Sequence, residues 1–139
     1  MKTFTAQIDA FRDLTLKNMR YVAAEAIQDV VEAAQTPQLP VARTGGSFEI
    51  GKIPVDKSAL INSLSVDGGP ESEVAYVAAI AGFEIGDKMQ FHWTSDHAMP
   101  MEAGFTTQSG TQVPGRHFVG ANAERFSEFV ADRVAEVQK

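Results

Sequence analysis

His92, Asp96, His97, Glu102 and His117 carry the side-chain types that ligate zinc or iron, and they are the chemistry this chain most readily suggests. Their spacing works against it. His92 and His97 stand five positions apart in a stretch read as strand then loop, so they do not share a helical face as ligands at i and i+4 would. Asp96 and Glu102 could form an acid–base pair, but two acids in a loop are ordinarily solvated. Ser58 and Ser63 have no nucleophile-elbow context, and Gly82-Phe-Glu-Ile-Gly86 lacks the pattern that cradles phosphates. A small metal-dependent hydrolase or isomerase built on His92, Asp96, His97 and His117 is the alternative function kept open. The leading expectation is no catalytic residue, no metal and no cofactor.

The elements that would position these residues follow from periodicity. Phe4, Ile8, Phe11, Met19, Val22, Ala26, Ile27, Val30 and Ala33 recur at spacings of three and four, predicting a long amphipathic helix over 5–34. Pro37 and Pro40 end it near Gln35. Residues 41–51 read as a loop with a short strand carrying Phe48 and Ile50. Residues 55–66 read as a helical turn capped by Asp56 that runs into a strand at 64–66. Asp67-Gly-Gly-Pro70 is a turn signal. Residues 73–81 and 88–94 read as two paired strands, with Met89, Phe91 and Trp93 alternating toward a core. Trp93 could stack a nucleobase, although a packed sheet face is the simpler account.

Met99 to Phe105 reads as strand-like, residues 105–115 as a polar flexible arm, and Val119, Ala123, Phe126, Val130, Val134 and Val137 as the apolar stripe of a C-terminal helix. Helix, strands, helix predicts an α+β fold: a long N-terminal helix and a C-terminal helix on one face of a mainly antiparallel sheet, with long loops. The 139 residues fit one domain, 1–139.

The net charge of −6 and the absence of a basic cluster argue against tracking a phosphate backbone, and would suit a surface that DNA passes without sticking. Without cysteine, thiolate metal sites and thiol nucleophiles are excluded, and synthesis in a reducing cytoplasm is expected. Asp9 and Arg12 interrupt any signal-peptide core, and no apolar run of about 18 residues predicts a membrane span.

Three short motifs, in order, resemble the neck and tail-completion proteins of long-tailed double-stranded DNA bacteriophages. Ser58-Ala-Leu-Ile-Asn-Ser63 is similar to a glycine-x-leucine-x-x-serine element. His97-Ala-Met-Pro-Met-Glu-Ala-Gly104 is similar to a tyrosine-alanine-x-x-valine-glutamate-x-glycine element, and Pro114-Gly-Arg-His-Phe118 to a proline-x-arginine-proline-phenylalanine turn before the last helix. Ser58 replaces the usual glycine, His97 the tyrosine, Phe105 a threonine and His117 the second proline.

The resemblance implies a non-enzymatic virion protein at the head-to-tail interface, made in the host cytoplasm. It would form a homo-oligomeric ring, hexameric or dodecameric, around the DNA channel. Its partners would be a head-completion (stopper) protein, a tail terminator or the tail tube, with no specific DNA binding and no membrane. Glu102, Gly104, Pro114, Arg116 and Phe118 would then be assembly and loop-anchoring residues, with Arg116 bridging a carboxylate or exposed carbonyls. Local structure accounts for Gly104 as a kink and Phe118 as a core anchor; for Arg116 a solvated position stays open beside the interface role.

Overall fold

The computed structural model describes residues 3–56 and 58–138. Its first element, α1, is a helix over Phe4–Ala34, begun by the Thr3 hydroxyl, which accepts from the Ala6 N–H at 3.1 Å, and ended at Gln35. Beyond it the chain forms short pieces: β1 (Pro37–Gln38), α2 (Val41–Thr44), β2 (Ile53–Pro54), a single 3-10 turn at Ile61–Ser63 and β3 (Leu64–Val66). Then come α3 (Ala75–Ala81), β4 (Phe91–Trp93), α4 (Ala98–Ala103), β5 (Gly104–Thr106), β6 (Gln112–Pro114), α5 (Gly120–Ala123) and α6 (Phe126–Val137). No helix among the described residues is long and apolar enough to cross a membrane.

The α+β class is as expected, and among the described residues the strands form three two-stranded ladders. Two are antiparallel: β3 with β4, in the register Leu64 to Trp93 and Val66 to Phe91, and β5 with β6, Gly104 to Pro114. The third, β1 with β2, is parallel and pairs Pro37 with Ile53.

Several local expectations are corrected. Residues 73–81 hold a helix where a strand was expected: Ala75, Ala78, Ala79 and Ala81 favour helix, and Tyr76 and Ile80, one turn apart, are both buried. The strand at 91–93 therefore pairs with β3. Residues 41–51 contain the short helix α2 and no strand. Met99 to Ala103 lies in α4, which tolerates Pro100 because the first turn needs no amide from it. The polar arm at 105–115 closes on itself as the β5–β6 hairpin, with the Thr107 N–H donating to the Thr111 carbonyl at 2.8 Å. The final helical pattern is interrupted between α5 and α6.

The core has two halves. Ala24, Val31, Leu64, Tyr76, Ile80 and Phe83 pack in one, with Met89 and Phe91 against them; Ala34, Ile53, Leu60, Ile61 and Phe118 pack in the other. Trp93 touches both. Gln35, buried between them, takes a hydrogen bond from the Trp93 indole N–H at 2.8 Å and donates to the carbonyls of Ile61 and Glu73, both at 2.9 Å. A polar side chain at that depth is tolerable because both ends are satisfied.

α6 runs antiparallel along the C-terminal half of α1, and polar contacts hold the two together. Arg133 donates to both carboxylate oxygens of Asp29, at 2.9 and 2.8 Å, and to Glu136 at 3.1 Å, while the Tyr21 hydroxyl donates to Glu136 at 2.6 Å. The Tyr21 hydrogen bond, followed by that from Arg133, holds the Glu136 carboxyl below the usual glutamate range. A depressed carboxyl contributes stability that is present above its ordinary value and lost as pH falls through the lowered one. Acidification into that range is therefore expected to loosen α6 from α1. Unfolding temperatures of wild type and Glu136→Gln should differ at neutral pH and converge in acid; a constant difference would refute the contribution.

Candidate functional site

The five residues that the resemblance singles out come together where α4, the β5–β6 hairpin and the start of α5 meet. Glu102 sits near the end of α4 with its carboxylate turned toward the first turn of α5. The Val119 N–H donates to Oε1 and the Gly120 N–H to Oε2, both at 2.9 Å. Those amides begin a helix and have no partner within it, so an anionic acceptor satisfies them and sits favourably at the positive end of the helix. The main chain closes the same joint, with the Arg116 N–H donating to the Met101 carbonyl at 2.9 Å and the His117 N–H to the Glu102 carbonyl at 3.1 Å. Glu102→Gln keeps the shape but turns an amide NH2 toward a backbone N–H. It is expected to lower folding stability by about 1–3 kcal/mol in denaturant titrations, and no change would mean the cap is replaceable by water.

Gly104 has φ +92°, and a Cβ there would lie 2.8 Å from both the Gly115 nitrogen and the Val113 carbonyl oxygen. Gly115, which the sequence reading passed over, is the tighter position: a Cβ would run into the carbonyl of Glu102 and the backbone of Ala103. Two glycines thus let the strands of the hairpin cross at backbone distance where β6 leaves it. Pro114, paired with Gly104, shapes the same exit.

Arg116 is neither solvated nor turned outward; it is 2% exposed. One terminal nitrogen donates to the Pro114 carbonyl at 2.7 Å, the other abuts the Met101 sulfur, and Nε has no partner. Of the two expected kinds of acceptor it finds a carbonyl and no carboxylate. Burial lowers the proton affinity of this guanidinium. Its backbone carbonyl accepts from the Gly51 N–H at 2.7 Å, so residue 116 links the hairpin exit to the loop before β2. Phe118 lies beneath, 1% exposed, as the core anchor expected of it.

Asn122 was missed altogether. Buried on α5, it donates to the carbonyls of Gly51 and Phe118, both at 2.7 Å, and completes the joint. Its only sequence signal was a polar residue within an apolar helical stripe.

The histidines do not assemble. His92 is exposed on β4, His97 and Asp96 are exposed before α4, and His117 is exposed at the turn. Among the described residues, no three His, Asp or Glu side chains stand together where they could hold a metal ion. His97 lines a pocket of about 210 Å³ with Asp56, Ser58, Leu60 and Met101. There Asp56 lies 3.3 Å from Arg43, and no hydrogen bond joins Ser58 to His97. The site is a structural joint in which backbone amides, one carboxylate and one buried guanidinium fix the angle between a hairpin and a helix.

Compared with known protein families, with curated proteins and with solved structures, the chain matches none.

Proposed function

We propose that this chain is a structural subunit of the head-to-tail junction of a long-tailed bacteriophage. It acts there as a neck or tail-completion protein in a ring around the DNA channel, joining a head-completion protein to a tail terminator or tail tube. The observation that carries an assembly role is surface. The chain exposes 8912 Å², where a compact monomer of 15.0 kDa exposes about 7000 Å². Large apolar side chains on α1 are among the exposed ones, Phe4 at 77% and Phe11 at 69%, and a soluble monomer rarely leaves such a surface uncovered.

The backbone at the motif positions supports the specific reading in part. Ser58 has φ +63°, in the region that favours glycine, at the place where the family's element carries a glycine. Gly104 likewise has the positive φ that a kink at its place in the motif requires. His117 differs: its φ of +49° is closed to proline, whose ring holds φ near −65°, so the turn before the last helix has its own geometry in this chain. The net charge of −6 fits a wall along which DNA moves without being held.

Disrupting the gene for this chain and imaging the lysate by negative-stain electron microscopy tests the reading. Filled heads and separate tails, joined again when the intact gene is supplied, are the expected result. Normal joined particles without the chain would overturn it.

A further inference from the structure

The N-terminal part of α1 continues past the end of α6. Thr3 to Lys17 are exposed throughout, and at 3.6 residues per turn Phe4, Ile8, Phe11, Thr15, Met19 and Val22 fall on one stripe. The same stripe then becomes the floor of an open groove of about 440 Å³, walled by Ile85 on one side and by Phe126, Val130, Val134 and Val137 of α6 on the other. No residue of α6 is buried: Val130, Val134 and Val137 are half-buried along the groove and Phe126 at its end is exposed, so this apolar side is only partly covered by α1. Two helices side by side with an apolar trough between them form the kind of groove that takes an amphipathic helix.

We infer that the occupant is the N-terminal arm of α1 from a second copy of this chain. The lengths agree: residues 4–14 span about 16 Å, and the 12 residues of α6 that wall the groove about 18 Å. The charges agree as well. Asp9 and Asp13 balance Arg12 and Lys17, so the arm carries no net charge into the other copy's groove despite the chain's overall −6. The area is sufficient. The exposed parts of Phe4, Ile8, Phe11, Met19, Ile85 and Phe126 with the α6 valines offer on the order of 700 Å² per copy, close to the roughly 800 Å² per partner of a stable interface.

The symmetry follows from the placement of arm and groove on a single face of one helix. When two such faces turn toward each other about a two-fold axis, each arm fills the other copy's groove and neither is left free for a third chain. The arms therefore exchange reciprocally in an antiparallel pair centred near Thr15, with Phe11 of each copy over Met19 of the other, and the assembly closes at two. A polar ring cannot use that contact between neighbours, so the pair is the form of the free chain, and entry into a ring would require the arms to separate. The inference stands on the arm and the groove alone, whatever particle the chain serves.

Sedimentation equilibrium of the intact chain tests it. The expected mass is twice the 15.0 kDa of one chain. Phe4→Asp and Phe11→Asp, at positions too exposed to support the subunit's own fold, should each weaken pairing roughly tenfold to a hundredfold with an unchanged circular dichroism spectrum. Because the chain has no cysteine, Thr15→Cys is a single labelled site, and a short bismaleimide should link it to its own copy in the native protein but not in the Phe11→Asp background. A monomer, any stoichiometry other than two, or a dimer indifferent to both arm substitutions would overturn the inference.

Discussion

Phe118→Ala is expected to lower the stability of the folded chain by about 3–5 kcal/mol, a large part of the roughly 5–15 kcal/mol that holds a domain together. Phe118 is the ring on which one half of the core closes. It packs among Ala34, Ile53, Leu60 and Ile61, and its ring meets that of Trp93 edge to face, centroids 5.4 Å apart at 80°. Its neighbours come from α1, β2, the 3-10 turn region and β4, elements that cannot all collapse into the space an alanine would leave. The loss therefore includes a cavity as well as the transfer free energy. Phe118→Leu, which keeps most of the volume, should cost well under half as much. Urea titrations with unchanged slope would measure both, and a loss below about 1 kcal/mol for the alanine variant would mean that the core refills from elsewhere.

Gln35→Leu is expected to cost about 3 kcal/mol or more despite placing an apolar residue in an apolar interior. The amide of Gln35 satisfies the Trp93 indole N–H and the carbonyls of Ile61 and Glu73, and leucine leaves all three without it. Each buried group so orphaned costs about 1–3 kcal/mol, and the Ile61 carbonyl is too deep for water to replace the lost donor readily. Trp93 is the only tryptophan, so its fluorescence reports the site directly. The emission of the variant should shift in the folded state while the denatured spectra coincide. An unchanged spectrum with unchanged stability would show that the amide is dispensable.

These two residues mark how far the sequence could be read. Phe118 was legible because an aromatic residue after a proline turn and before an apolar helical stripe has few places to go but the core. α1 was legible because thirty residues of regular spacing end at two prolines. Gln35 was not: at the end of a helix a glutamine is ordinarily solvated, and only the approach of Trp93 and the 3-10 turn, far away in sequence, buries it. Arg116 escaped for the same reason, since its burial depends on Met101 and on the loop holding Gly51. The strand expected over 73–81 came from weighing Val, Tyr and Ile by composition; Tyr76 and Ile80, four apart, share a face in a strand or a helix alike, and the alanines at 75, 78, 79 and 81 tip the segment to helix.

The arm shows a different limit. Its stripe was read correctly as the apolar side of an amphipathic helix, but periodicity says only that something covers such a side, not whether the cover belongs to the same chain. Among the described residues of the folded subunit, none buries Phe4, Ile8 or Phe11, which stay half or more exposed. That exposed side is the observation that supports the proposed assembly role.

Reconstruction of the intact particle by electron cryomicroscopy tests the assembly role most directly. The account predicts several copies of this fold arranged as a ring where head meets tail. In each, the joint of Glu102, Gly104, Pro114, Arg116 and Phe118 would be intact inside the subunit, and the α1 arm, released from its pairing with a second copy's groove, would lie against another chain of the particle. A junction built entirely of other chains, with this one absent from the particle, would contradict it.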